Sequence, residues 1–508
     1  MYMPPSTSRI EGRRRSAFVL ATLFISLLLG VLTAAAVELR IDGERLWLQA
    51  DDVPLSQVLE HFVQAGVQVK MDPALSGQVR VQVVDQDLES ALADLLEPNG
   101  YVLIWDVLEG PLGAWPRLAE IQVFRPGHQD RIAPLDAVAG PLRVASWPHG
   151  EGIEYVVDEL IIGFAPPADR TRISVLLREL GATLLESLPE LGIYRIQLPP
   201  GTNIPALVAQ LQRHPLVAAV EPNYVYRLPP APLLAAGARD TAAAERLGAS
   251  AAMGHAPVAI LDSGLSAWPG LADWVAGAFN ALAPGQSSDD QGGHGTQMVM
   301  IASGWVAPSG AATPVAEGVR VLGIRTFDNE GVTSNFAVMN SLFHAADQGA
   351  RVINMSWGAP VHSDFLAESI TRVRRGGTLL VAAVGNEPSG QPMYPAAFEA
   401  VIGVSALNER GEVWSQSNHG DFVFMAAPGQ ATLPGGTQGG TGLYSGTSIA
   451  SAYVTHALGQ FFAQHPDASA QAAQAALQQA VNPDGLPPDN FVGHGALDGA
   501  AWQRLLAP

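Results

Sequence analysis

Three short segments, far apart in a chain of 508 residues, carry side chains that could together break an acyl bond. Gly446-Thr447-Ser448-Ile449-Ala450-Ser451 sets a serine at a helix start, where its hydroxyl projects outward. The serine's own backbone N–H then points to where an oxyanion would form. A serine hydroxyl is a poor nucleophile at its own pKa and needs an adjacent base. Gly293-His294-Gly295-Thr296 offers one, because imidazole titrates near neutral pH and can take a proton and later return it. Val258-Ala259-Ile260-Leu261-Asp262-Ser263-Gly264 is an apolar run that delivers a carboxylate into a tight turn. Such a carboxylate would hold the imidazole in one tautomer and stabilise the imidazolium. Singly, each segment is ordinary: an aspartate after an apolar run is usually a turn residue, and the chain has twelve histidines. The set of three, each at a strand end or helix start, is what points to chemistry.

The chain order Asp262, His294, Ser448 resembles that of the subtilisin-like serine proteases, the subtilase (peptidase S8) family. The resemblance extends over roughly residues 245–503 and implies that these three form a catalytic triad. Val381-Ala382-Ala383-Val384-Gly385-Asn386 matches the family strand whose asparagine donates its side-chain N–H to the tetrahedral oxyanion. The resemblance therefore gives Asn386, with the Ser448 N–H, the oxyanion hole. Asn354-Met355-Ser356-Trp357-Gly358 resembles the strand that pairs with an extended substrate and lines the first specificity pocket. Ser356, Trp357 and Gly358, with Ala383, Val384 and Gly385, are the implied substrate-binding residues. Main-chain pairing would supply affinity there, and side-chain pockets selectivity. Tyr394-Pro395-Ala396, Trp414 to Gly420, Ala427-Pro428-Gly429 and Gly493 to Asp498 are further family landmarks.

The departures from the family pattern are Gln297 where a second histidine is usual, Met298 and Met300 where small residues are usual, and Ala452-Tyr453 for Pro-His. They bear on packing and specificity more than on mechanism. Trp357 stands for a smaller aliphatic residue, and two readings stand: it narrows a substrate subsite, or it simply packs.

Apolar runs at 258–261, 320–325, 351–355, 378–384 and 401–405 alternate with helical patterns near 295–303, 336–348 and 364–375. That alternation predicts an α/β fold whose mostly parallel sheet is covered on both faces, and the family resemblance implies a subtilisin-like three-layer domain. Active residues would gather at the carboxyl ends of its strands and at helix starts, with the nucleophile on a helix from Ser448 to about Gln464.

Upstream, residues 151–228 read as βαββαβ: strand 159–164, helix 172–180, strands 182–187 and 193–198, helix 204–213, strand 217–221. This ferredoxin-like order, placed before such a domain, resembles the subtilase propeptide of the inhibitor I9 type. The resemblance implies a folding chaperone and inhibitor whose tail, Tyr224 to Pro230, lies in the substrate cleft. Residues 229–250 are rich in alanine and proline without periodicity, and suit an exposed linker holding an autoprocessing site. Residues 37–107 alternate small helices and strands in the pattern DVPLSQVLEHF…GVQV…GQVRVQV…DLESALADLL. That pattern resembles the short N-terminal domain of secretins and TonB-dependent receptors, which implies an envelope docking module; a generic small α+β domain is the other reading. Residues 108–150 are a linker or an extension of it.

Arg13-Arg14-Arg15, the apolar run from Ala17 to Leu32 and Ala34-Ala35-Ala36 read as a signal peptide, residues 1–36. An uncleaved inner-membrane anchor is the alternative. Either places the rest in the periplasm or outside the cell. The charge of −20, from 28 basic and 48 acidic residues, argues against nucleic acid as a partner. Absence of cysteine excludes disulfides, a thiol nucleophile and zinc–thiolate sites. Ser287-Ser288-Asp289-Asp290 offers oxygens to a structural calcium, but reads as an exposed acidic loop, and no cofactor or metal is assigned. The expected protein is a secreted or periplasmic serine endopeptidase made as a self-processing zymogen, with residues 251–508 as catalytic domain. Its partners are peptide substrates, its own propeptide and an envelope protein held by residues 37–107. The alternative is a catalytically silent envelope scaffold that binds extended peptides.

Overall fold

The structure is a computed structural model. It describes residues 37–229, 233–236 and 257–507, less 43, 111–112, 136–141, 149, 151, 167–168, 285, 312–317, 435–440, 483 and 486. The expected signal or anchor and most of the expected processing linker lie outside the described residues.

The largest sheet has seven strands, all parallel. Edge to edge they are Val275–Asn280, Val321–Arg325, Val258–Asp262, Val352–Met355, Leu379–Ala383, Val401–Leu407 and Met425–Pro428. The inner strands are buried along their length because helices cover both faces, so they are near-continuous apolar runs. One face packs on the helices His294–Ser303 and Thr447–Gln464. The other packs on Asn335–Asp347 and Asp364–Arg375. Thr447–Gln464 is buried on all sides as far as Phe462, which requires an apolar sequence around its whole circumference. Its polar residues are satisfied internally: Ser451 Oγ donates to the Ser448 carbonyl at 3.0 Å and Thr455 Oγ1 to the Ser451 carbonyl at 3.0 Å. Strand order reverses about Val258–Asp262, and the carboxyl end of that strand is therefore a switch-point crevice.

Residues 154–227 form a second layer against this domain. Glu154–Phe164, Thr183–Leu188, Ile193–Gln197 and Val217–Arg227 make an antiparallel sheet. The helices Arg170–Leu180 and Ile204–Leu211 cover its outer face. Asp169 and Asn203 cap these helices by accepting from the N–H groups of Arg172 and Ala206. The inner face puts Ile161, Leu188, Ile193 and Tyr226 into the same apolar cluster as Phe336 and Trp357. The last strand runs on to pair with Val332–Ser334, so one sheet spans both units.

Residues 37–135 form two small sheets packed on the helices Leu55–Gln64 and Leu88–Leu96. Leu88, Ala91, Leu92 and Leu96 face the core at helical spacing, and Asp87 caps the start by accepting from Ser90 N at 2.9 Å. The strand Gly113–Phe124 pairs with both Gly100–Gly110 and Gln68–Met71, whereas Val144–Ser146 pairs with Glu154–Phe164. Arg117 Nη1 donates to the Leu185 carbonyl at 3.2 Å and Arg170 Nη1 to that of Ala114 at 3.1 Å, which ties this unit to the next.

Candidate active site

The strand Val258–Asp262 ends at the crevice with Asp262 only 1% exposed. Asp262 Oδ1 accepts from Ser263 N at 2.8 Å and from His294 Nδ1 at 2.7 Å. Ser263 Oγ accepts from Gly295 N at 2.9 Å, so the aspartate turn also satisfies a first-turn N–H of the histidine helix. Glycines allow this approach: a Cβ on Gly295 would collide with the Gly264 backbone, and one on Gly264 with the Ser288 carbonyl.

Asp290 completes the clamp. Its Oδ1 accepts from Gly293 N at 2.8 Å, and its Oδ2 from Thr296 N at 2.8 Å and Thr296 Oγ1 at 2.7 Å. This corrects the reading of residues 287–290 as an exposed acidic loop. Asp289 is exposed, but Asp290 is fully buried and caps the helix that carries His294. Its two carboxylate oxygens already accept from protein donors. Among the described residues no cluster of three or more histidine or carboxylate side chains could hold a metal. An acidic residue just ahead of a helix start was the signal in the sequence.

Burial works against the charged form of His294, yet the charge and hydrogen bond of Asp262, with Asp290 beyond, outweigh it. The imidazole pKa lies above its ordinary 6.5. Ser448 stands in the first turn of its helix and lines one cleft with His294, Gln297, Met298, Asn386 and Pro229. Its hydroxyl donates to the Ser356 carbonyl at 3.1 Å.

Asn386 sits just past the strand Leu379–Ala383. Its Oδ1 accepts from Thr447 N and Thr447 Oγ1, both at 2.9 Å, which leaves its amide nitrogen for the cleft. Thr447 Oγ1 in turn accepts from Gly385 N at 3.2 Å. Thr447 is thus a positioning residue that sequence reasoning did not single out, although it stands beside Ser448. Ala383 and Val384 are buried, and Gly385 makes a left-handed turn, φ 107°.

Trp357 is packed inside the fold. It is 1% exposed, its indole N–H donates to the Leu261 carbonyl at 3.0 Å, and its ring lies 5.2 Å from that of Tyr226. Gln297 is buried, with its amide nitrogen donating to the Pro434 carbonyl, and Met298 joins it in the cleft wall. Tyr453 stacks on Trp502 at 5.2 Å, well inside the fold.

The tail of the second unit crosses this crevice. Val225, Tyr226 and Arg227 pair antiparallel with Ser334, Thr333 and Val332, and Leu228 N donates to the Gly331 carbonyl at 2.9 Å. Pro229 reaches the cleft beside Ser448. Beyond it, Leu233–Ala236 pairs with Thr441–Ser445, the strand leading into Ser448.

A buried carboxylate–imidazole pair beside a helix-borne serine and an oriented amide donor is the equipment for acyl transfer. Comparison with known proteins agrees. The subtilase family model matches residues 255–495, and that of the fervidolysin N-terminal prodomain matches residues 147–223. A thermophilic serine proteinase of Bacillus sp. (strain AK1) is 28% identical over 328 residues, covering 63% of this chain and 81% of the relative. Thermitase of Thermoactinomyces vulgaris is 33% identical over 218 residues, covering 42% and 77%. The crystal structure of fervidolysin from Fervidobacterium pennivorans shares the fold, with TM-score 0.56 at 21% identity, covering 70% of this chain and 61% of that one. The chain belongs to the subtilase family. It is a subtilisin-like serine endopeptidase with a prodomain, acting on peptide substrates, and these likenesses lend nothing to a silent scaffold.

Proposed function

We propose that the protein is an exported, self-processing zymogen whose catalytic residues are Asp262, His294 and Ser448. His294 Nε2 takes the Ser448 hydroxyl proton as Oγ attacks the scissile carbonyl. The oxyanion is held by the Asn386 amide nitrogen and the Ser448 N–H, helped by the positive end of the helix. Collapse breaks the C–N bond, and the imidazolium returns its proton to the leaving amine. Water then attacks the acyl-serine by the same proton route.

We divide the chain into a signal segment at 1–36, a docking module of the secretin/TonB short N-terminal type at 37–107, a linker or extension at 108–150, an I9-like inhibitory propeptide at 151–228, a processing linker at 229–250 and the protease at 251–508. The signal-like start supports export to the periplasm or beyond, and the docking module would hold one envelope protein. The observation that carries the zymogen reading is Pro229 in the same cleft as His294, Asn386 and Ser448, at the end of a strand paired like a substrate. Intact mass of the exported protein, beside Ser448→Ala, tests it. A wild-type break between about 225 and 250, absent from the variant, is expected. Identical uncut masses would overturn self-processing.

A further inference from the structure

We propose that Asn335 is a specificity residue that reads a tyrosine hydroxyl on the acyl side of the substrate, three residues before the one that reaches Ser448. The inference rests on the zymogen reading above, in which the tail occupies the cleft as a substrate would.

Tyr226 is the tail residue three before Pro229, and its side chain is fully buried. Its hydroxyl donates to Asn335 Oδ1 at 3.1 Å. The orientation of that amide is set from the other side, because Asn335 Nδ2 donates to Ser363 Oγ at 2.8 Å. The oxygen can therefore only accept, and the atom that faces the ring demands a donor. Trp357 contributes an aromatic face and no competing donor, since its indole N–H is spent on Leu261. Phe327 backs Trp357 at 5.6 Å.

The neighbouring contacts are blind to side-chain identity. Tyr226 pairs with Thr333, and Leu228 N donates to the Gly331 carbonyl, through main-chain atoms that any extended peptide offers. Selection falls to the pocket. A phenylalanine would fill the aromatic space equally well but would leave Asn335 Oδ1 buried with no donor. A site built to bond a hydroxyl discriminates against the analogue that lacks one more strongly than an apolar pocket discriminates by size. The expected discrimination is about 10-fold or more in kcat/KM.

The test uses the self-processed protease, diluted until its prodomain has dissociated and the pocket that held Tyr226 is open, with fluorogenic peptides identical except for Tyr, Phe or Leu at this position. Tyr should exceed Phe by about 10-fold, and Asn335→Ala should bring the Tyr/Phe ratio close to one chiefly by slowing the Tyr peptide. The ratio is taken within one preparation, so a lower yield of folded variant cancels. Equal rates for Tyr and Phe in the wild type overturn the assignment without recourse to any variant. So does a Tyr preference that survives in Asn335→Ala. No Ser448-dependent cleavage of any peptide, together with no Ser448-dependent mass change, would instead overturn the zymogen reading beneath it.

Discussion

Asn386 and His294 make separate, measurable contributions at the level of single side chains. Thr447 holds the Asn386 oxygen through two bonds of 2.9 Å, so the amide nitrogen needs no reorganisation when charge develops on the substrate. Asn386→Ala should lower kcat with little change in KM, because the interaction exists only in the transition state. The drop expected is that known for the corresponding donor in subtilisin, roughly 10²–10³ in kcat. A variant that loses KM instead would show that Asn386 binds ground-state substrate. For His294 the sign of the pH effect follows from its surroundings. Its pKa lies above 6.5, since Asp262 and Asp290 outweigh the cost of burial, and only the neutral ring can accept the Ser448 proton. Activity is therefore complete above that raised pKa and falls as pH drops through it. The acid limb of kcat/KM, which reports the free enzyme, should have its midpoint above 6.5. A midpoint at or below 6.5 would mean that the Asp262 carboxylate is not paired with the ring in solution.

The helices that carry these side chains have their own pH dependence. His456 lies on the nucleophile helix, and its Nδ1 is 3.1 Å from the Ala302 carbonyl of the histidine helix. Burial lowers its pKa from 6.5 to about 4. The folded state therefore binds fewer protons here than the unfolded chain between those values. Its contribution is complete above pH 6.5 and is lost progressively as pH falls toward 4, a change on the order of 3 kcal/mol. Denaturant unfolding of the Ser448→Ala chain at pH 7 and 4.5, with and without His456→Gln, isolates this share, and equal pH slopes in the two would refute it. Strands such as Val258–Asp262 and Val352–Met355 were legible in the sequence because burial on both faces writes an unbroken apolar run. Val275–Asn280 was not, since at the sheet edge its residues alternate with exposed and glycine positions. The hairpin Gln430–Pro434 and Thr441–Ser445 lacks the apolar alternation of a simple strand, and the shared sheet through Val332–Ser334 depends on a partner strand far away in sequence. At the site, Asp262, His294, Ser448 and Asn386 were legible because each ends or begins an element with a recognisable pattern. Asp290 and Asn335 were not, because their partners, the Thr296 hydroxyl and Tyr226, are brought to them only by the fold.

At the scale of the whole molecule, the prodomain and protease share both a sheet and a core, and this decides what self-cleavage would release. Val217–Arg227 donates an edge to Val332–Ser334, while Ile161, Leu188, Ile193 and Tyr226 are buried among protease residues. Each such side chain is worth roughly 1.5–3 kcal/mol on burial, before the entropy of association is subtracted. Polar contacts fix the register between them. Glu221 accepts from Ser363 Oγ and from Asp364 N at 2.7 Å, and Asn223 Oδ1 accepts from Phe336 N at 3.0 Å. Prodomain side chains thus satisfy the starts of two protease helices, each such bond being worth about 1 kcal/mol. None of these contacts depends on an intact chain between residues 229 and 250. The prediction is that cleavage there leaves the halves associated. Native mass spectrometry of the processed wild type should give one species of undiminished mass, while denaturing conditions separate two fragments. Glu221→Ala should weaken the association by removing one helix start's acceptor, and the protease fragment should then appear alone at lower total concentration. Immediate separation of wild-type fragments would mean that the shared sheet is held only by the covalent link, and that latency ends with the first cut.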